Sequence, residues 1–92
     1  MFEVGRYKFV FQHENYPVVI DGLLFNGFTD CLVFNKETGL EEPEIIGRAY
    51  CSELDTFNKS VGRKMSLTRA IQGFTKDERT EIWGKYFATV RK

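Results

Sequence analysis

The chain has 92 residues, of which 42% are hydrophobic and 28% are charged, and its formal net charge is zero. A chain of this length supports one modest hydrophobic core, so we expect a single domain over residues 1–92. The zero net charge excludes a strong overall field that would attract nucleic acid or an anionic membrane. Two cysteines and one histidine are too few for a disulfide scaffold or a zinc quartet.

The charge is distributed unevenly along the chain. Residues 1–51 contain four Lys and Arg against eight Asp and Glu, a net charge of −4, whereas residues 52–92 contain nine against five, a net charge of +4. A basic binding site is therefore expected in the C-terminal half. The sequence shows no signal peptide and no apolar run of transmembrane length, so we expect an intracellular protein without a membrane partner.

Strand patterns separated by turn signals fill the N-terminal half. Asp21-Gly22 lies between two β-prone triplets and predicts a two-residue hairpin turn, because both central residues of such a turn need positive φ. Asn26-Gly27 predicts a turn or a bulge, and Lys36–Gly39 predicts a second hairpin loop. Gln12–Pro17 is polar and is expected to be the first connection. The predicted strand segments are 2–4 with 7–11 as the opening strand, 18–20, 23–25, 28–34 and 44–51.

The pattern changes to a helical period after Cys51. Ser52–Asp55 has the form of a capping box, which predicts a helix start. Two apolar sets follow, and at 100° per residue they face directions about 140° apart. Because one straight helix cannot bury both sets, we predict a break at Gly62, with helices at 53–61 and about 63–72. The first set is Leu54, Phe57, Val61 and Met65, and the second is Leu67, Ala70, Ile71 and Phe74.

A last helix is expected after Gly73. Thr75–Glu78 forms another capping box, and the apolar stripe that follows has core-facing helical spacing. The fold class is therefore α+β: a small antiparallel sheet of four to five strands over residues 2–51, with two to three C-terminal helices packed on it. The stripe expected in the core is Ile82, Trp83, Tyr86, Phe87 and Val90.

No residue pattern in the sequence indicates catalysis. The single histidine, His13, is expected in a loop as a solvated side chain, and the sequence has neither a phosphate-binding glycine loop nor a nucleophile elbow. We therefore expect a protein that is not an enzyme, with no catalytic residues, no metal and no cofactor.

The most informative segment is 57–70, which contains four cations and no acid. Lys59 and Arg63 are one helical turn apart and are expected to point outward, opposite the first apolar set. Backbone amides at a helix start, beside Arg and Lys side chains, form a suitable site for a phosphate group. The alternative is a solvated basic face that keeps the protein soluble. The four cations, expected to form one electropositive surface, are Lys59, Arg63, Lys64 and Arg69.

The same segment resembles a sequence pattern that is known from other proteins. It runs Cys51-Ser52-x-x-Asp55-x-Phe57-Asn58-Lys59-x-x-Gly62-Arg63-Lys64-x-Ser66-Leu67-x-Arg69-Ala70-Ile71, followed by Arg79 and Trp83. The pattern resembles one that is common in small bacteriophage proteins and covers a third to a half of the chain. Among phage proteins with a small antiparallel sheet and C-terminal helices, the chain resembles the Thoeris anti-defence sponges.

Those sponges bind cyclic ADP-ribose isomers made by a host immune sensor and hide them without cleaving them, and some also hold cyclic oligonucleotides. The resemblance implies a phage protein of the host cytoplasm that sequesters a cyclic nucleotide second messenger as a homo-oligomer. The alternative is a phage interaction protein that binds nucleic acid, the less favoured partner, or inhibits a host protein through the basic helical segment. The candidate ligand-binding residues are Phe57, Asn58, Lys59, Arg63, Lys64 and Arg69.

Overall fold

The computed structural model describes residues 1–52 and 58–90. Within these ranges five strands are followed by two helices, which confirms the predicted α+β class and the order of strands before helices. The elements are β1 (Phe2–Val4), β2 (Tyr7–Glu14), β3 (Val18–Ile20), β4 (Leu23–Asn35), β5 (Ile45–Ser52), α1 (Lys59–Ala70) and α2 (Lys76–Val90).

The long strand β4 is the centre of an antiparallel sheet. It pairs with β2 and then β3 along one edge and with β5 along the other, while β1 pairs with β2. β2 and β3 therefore form one row beside β4, interrupted by a short irregular segment. Every other pair of consecutive strands is hydrogen-bonded, as expected where short loops join antiparallel strands.

The hairpin between β3 and β4 forms where the sequence predicts it. Asp21 has a φ of 51° and Gly22 a φ of 79°, so both central residues adopt the left-handed conformation that a two-residue turn requires. Asn26-Gly27 is a bulge rather than a turn, because the register of β4 against β5 shifts between Phe25 and Gly27. This shift reverses which face of the sheet the β4 side chains occupy beyond the bulge.

Two boundaries differ from the prediction. The expected opening strand is a hairpin, because a turn at Gly5, with a φ of 57°, divides β1 from β2. β2 also continues to Glu14, into the segment expected to be a polar connection. The alternation of residue types is weak there, but every residue from Tyr7 to Glu14 has a pairing partner on β4, and this pairing extends the strand.

Both helices pack on the same face of the sheet. α1 lies over β4 and β5, and α2 lies against β1. The buried cluster joins sheet residues of this helix-facing side to residues of both helices and of the turn between them. The cluster consists of Phe2, Phe9, Cys31, Val33, Leu67, Ala70, Ile71, Ile82 and Tyr86.

The predicted break at Gly62 is wrong, because α1 runs without interruption from Lys59 to Ala70. Of the two competing apolar sets, the second is buried at Leu67, whereas Val61 of the first is 51% exposed. The helix therefore buries one set and leaves the described part of the other in solvent. The helix start predicted over 52–55 lies mostly outside the described residues. Within them, α1 begins after Asn58, whose side-chain oxygen accepts a hydrogen bond from Val61 N at 3.1 Å.

Gly62 has a packing role that its sequence neighbours do not reveal. A Cβ at this position would lie 3.0 Å from Thr29 Cβ and would overlap Thr29 Oγ1. The absence of a side chain thus lets the first turns of α1 approach β4 closely. Gly47 on β5 also allows a close approach of α1, one helical turn further along the helix, where the backbone of Ser66 and Ala70 passes directly over it.

The start of α2 matches the predicted capping box. Thr75 N donates to Glu78 Oε1 at 2.9 Å, and Glu78 N donates to Thr75 Oγ1 at 3.2 Å. These hydrogen bonds from Thr75 hold the pKa of Glu78 below its ordinary value. Of the predicted core stripe, Ile82 and Tyr86 are buried and Trp83 is half-buried against them.

The core prediction is wrong for two residues of that stripe. Phe87 is 40% exposed and Val90 is also exposed. α2 contacts the sheet through β1, and the residues that it buries there are Ile82 and Tyr86 in its middle turns, so the side chains of Phe87 and Val90 remain uncovered.

Candidate functional site

The first turns of α1 lie over a polar pair on the helix-facing side of the sheet. His13 on β2 is directly opposite Thr29 on β4, and His13 Nδ1 and Thr29 Oγ1 share a hydrogen bond of 2.9 Å. Which of the two atoms donates depends on the tautomer of the ring. Thr29 is fully buried and His13 is half-buried. The close approach of Gly62 places the helix directly above this pair.

Two of the predicted cations act electrostatically on this pair. The pKa of His13 is lowered below its ordinary value, first by burial and then by the positive charges of Arg63 and Lys59. Both charges are therefore near enough to the imidazole to disfavour its protonation. We call His13, Thr29, Lys59 and Arg63 the His13 cluster.

Arg63 is half-buried, which corrects the expectation that its side chain points outward. Its Nε is buried and makes no hydrogen bond with any atom of the described residues. A guanidinium carries five N–H donors and cannot lose its charge, so a buried donor without an acceptor is costly. An anion that pairs with the guanidinium would satisfy its charge, and because Nε has almost no exposed surface, the side chain must turn before this atom can donate to it.

The other two cations point elsewhere. Lys64 lies on the α2 side of the helix, with Nζ 6.0 Å from the ring centroid of Phe87. Arg69 reaches the edge of β5, where its Nη1 donates to the carbonyl oxygen of Arg48 at 2.5 Å. Arg69 is also about 9 Å further along the helix axis than Arg63. The structure therefore brings Lys59 and Arg63 together and separates Lys64 and Arg69 from them.

The two predicted ligand-binding residues that are not cations, Asn58 and Phe57, do not belong to the His13 cluster. Asn58 caps α1 with its side-chain oxygen, so that atom already accepts a hydrogen bond. Phe57 lies outside the described residues. Within the residues that the structure describes, no group of three or more His, Cys, Asp or Glu could hold a metal ion. Neither α1 nor α2 is long and apolar enough to cross a membrane.

Sequence reasoning missed the contribution of the sheet to this site. His13 was expected in a loop, but it lies in β2, sixteen residues from its hydrogen-bond partner Thr29. The pairing of β2 with β4 brings the two together, and a polar residue at the same register position of both strands was the available signal.

We expect protonation of His13 to destabilise the fold. Because burial and the two cations lower its pKa in the folded state, stability is fully present above the unfolded pKa of about 6.5 and is lost as the pH falls through the lower folded value. His13 is the single histidine of the chain, so its ring protons can be followed without overlap by NMR. We expect an apparent pKa below 6.5, and a value above it would contradict the proximity of Arg63 and Lys59.

A variant separates the loss of stability caused by protonation of His13 from the loss caused by protonation of acidic side chains. His13→Gln keeps a polar side chain beside Thr29 but cannot titrate, so its melting temperature is expected to change less between pH 7 and pH 5 than that of the natural chain. An equal loss of stability in both proteins over this range would assign the pH dependence to other groups.

Comparison with known proteins gives no relative. No protein-family model matches the chain, and no curated protein or solved structure matches it significantly.

Proposed function

We propose that this protein binds a cyclic nucleotide second messenger of the cyclic ADP-ribose type at the His13 cluster and sequesters it without cleavage. The observation that carries the proposal is the buried Nε of Arg63, which lies near Lys59 and His13 and has no hydrogen-bond partner among the described residues. A diphosphate offers the acceptors and the negative charge that this arrangement lacks. The resemblance of the 51–71 segment to phage sponges supplies the class of ligand.

The residues of the cluster have distinct roles in this proposal. Arg63 donates charge-assisted hydrogen bonds to a phosphate oxygen from its half-buried guanidinium, and Lys59 supplies a second charge from an exposed and more mobile position. Thr29 fixes the imidazole of His13 through their shared hydrogen bond. A bound phosphate favours the protonated imidazole, so ligand binding takes up a proton at His13.

Lys64 and Arg69 have no place in the diphosphate site, because they face other sides of α1. This divergence also bears on the alternative function. A nucleic-acid groove needs cations aligned along one surface, whereas a small ligand needs only two or three that converge. The geometry of the described residues therefore favours a small anionic ligand over a nucleic acid.

Sequestration requires affinity and slow release rather than a general acid, a general base or a metal. As a phage anti-defence protein the chain would act in the host cytoplasm, where it would compete with a host effector for the signal. It must then bind more tightly than the effector or be present in excess of the signal.

Calorimetry with cyclic ADP-ribose isomers and with cyclic di- and trinucleotides tests the proposal. Each charge-assisted hydrogen bond contributes roughly 1.5–3 kcal/mol, so Arg63→Ala is expected to weaken binding more than about tenfold. Its melting temperature should change little, because the guanidinium makes no ion pair among the described residues.

Arg79→Ala is the matched control, since it removes the same charge from α2 and is expected to retain binding. Equal losses in the two variants would indicate general attraction of anions, and a steep fall in affinity with salt would indicate nucleic acid. Absence of binding at micromolar ligand would contradict the proposal, and recovery of cleaved ligand would contradict sequestration.

A further inference from the structure

The last turn of α2 carries two apolar side chains that the described part of the chain leaves open, Phe87 and Val90. The ring of Phe87 is nevertheless held in place by other rings. It stacks on Trp83, with centroids 5.6 Å apart and an angle of 25° between the planes, and it packs at an angle to Tyr86, with centroids 5.3 Å apart. An aromatic ring that its neighbours fix but solvent can reach is suited to bind a second planar group.

The course of α2 along the sheet brings its last turn to the level of His13. Phe74, two residues before α2, packs on Tyr7 with ring centroids 5.0 Å apart. Tyr86, near the end of α2, packs on Phe11 at 5.8 Å. α2 therefore runs in the same direction as β2. His13 follows Phe11 on this face of β2 by about 7 Å, and the final residues of α2 follow Tyr86 by about 6 Å.

α1 reaches the same place from the other side. Lys64 Nζ lies 6.0 Å from the centroid of the Phe87 ring. Burial and then the charges of Arg63 and Lys59 lower the pKa of His13, so these two cations lie near the end of β2. α1 lies over β4 and β5, whereas α2 contacts β1, and β2 runs between them. The first turns of α1 and the last turn of α2 are thus opposite walls of a cleft, which we call the interhelix cleft.

The two walls of the interhelix cleft differ in chemistry. The α1 wall carries the positive charges of Lys59 and Arg63, whereas residues 86–90 of α2 contain no charged side chain. A nucleotide has the same division, because its phosphates are anionic and its base is a flat ring system with an apolar face. Phosphates bind guanidinium and ammonium groups, and bases stack on aromatic rings. The cleft therefore matches both parts of one nucleotide ligand.

We propose that the nucleobase of the ligand stacks on Phe87, on the α2 side of the interhelix cleft, while Lys59 and Arg63 hold its diphosphate on the α1 side. This inference rests on the proposed function and adds a base-binding subsite to it. Val90 extends the apolar wall beyond the ring of Phe87. Because every base has an aromatic face, stacking on Phe87 contributes affinity for a nucleobase without selecting one base over another.

Calorimetry with two probes, cyclic ADP-ribose and inorganic pyrophosphate, tests the base-binding subsite. Phe87→Leu keeps an apolar side chain but removes the ring face, so it is expected to weaken the binding of cyclic ADP-ribose about tenfold. Pyrophosphate has no base and should bind equally to the variant and the natural chain. Phe87→Tyr keeps the ring and should bind cyclic ADP-ribose as the natural chain does.

Tyr16→Leu is the matched control. Tyr16 is also an exposed ring, but it packs on Phe28, whose side chain alternates to the face of the sheet opposite Thr29. Its variant is expected to retain full affinity for cyclic ADP-ribose. Unchanged binding of cyclic ADP-ribose by Phe87→Leu, or an equal loss of both probes, would overturn the subsite and leave the proposed function standing. A natural chain that binds neither probe would contradict both proposals.

Discussion

Replacing Gly47 by alanine is expected to destabilise the protein by about 3 kcal/mol, a large share of a total stability of about 5–15 kcal/mol. The added Cβ would lie 2.8 Å from Ala70 Cα and would overlap Ser66 O and Ala70 N. All three neighbours are backbone atoms of α1, so no side chain can move aside, and the helix itself must lift from β5. Chemical denaturation measures the loss of free energy of unfolding, and thermal unfolding is expected to show a fall in melting temperature of about 12–24 °C.

Gly84→Ala provides the control for this substitution. Gly84 lies within α2, and a Cβ there would meet no atom within 4 Å. Because alanine is favoured over glycine in a helix by about 0.5–1 kcal/mol, this variant is expected to be more stable than the natural chain. Opposite signs for the two variants would confirm that Gly47 serves close packing. A Gly47→Ala protein with normal stability would show that α1 lies further from β5.

The parts of the fold that were predicted correctly depend on neighbours in sequence. The Asp21-Gly22 turn is determined by two adjacent backbone conformations, and the start of α2 by two side chains three residues apart. Gly62 was misread for the opposite reason. A glycine within a helical pattern is expected both where a helix breaks and where a helix packs closely against another element. Only the position of Thr29 on β4 distinguishes the two.

The candidate site was predictable in its chemistry but not in its geometry. Density of cations in an acid-free segment indicated the N-terminal part of α1, and the structure does bring Lys59 and Arg63 towards one polar pair. The direction of each side chain, however, follows from which face of α1 docks on the sheet. Two apolar sets competed for that face, and tertiary packing at Gly47 and Gly62 decided between them.

The second large effect is expected for Tyr86→Ala, with a loss of about 3–5 kcal/mol of stability. The ring of Tyr86 is fully buried at the centre of the aromatic core, with ring centroids at 6.1 Å for Phe2, 5.8 Å for Phe11 and 5.7 Å for Trp83. It joins α2 to β1 and β2, so its removal leaves a cavity between the helix and the sheet that rigid strands cannot close.

Phe87→Ala tests the same claim from the adjacent position. Phe87 contacts the rings of Tyr86 and Trp83 at 5.3 and 5.6 Å, but it is 40% exposed, and most of its lost contacts can be replaced by water. We expect its variant to lose less than half as much stability as Tyr86→Ala, measured by denaturant unfolding of both proteins. Equal losses would mean that the end of α2 is buried in solution, and because the chain leaves Phe87 partly open, a partner covering that surface would then be required.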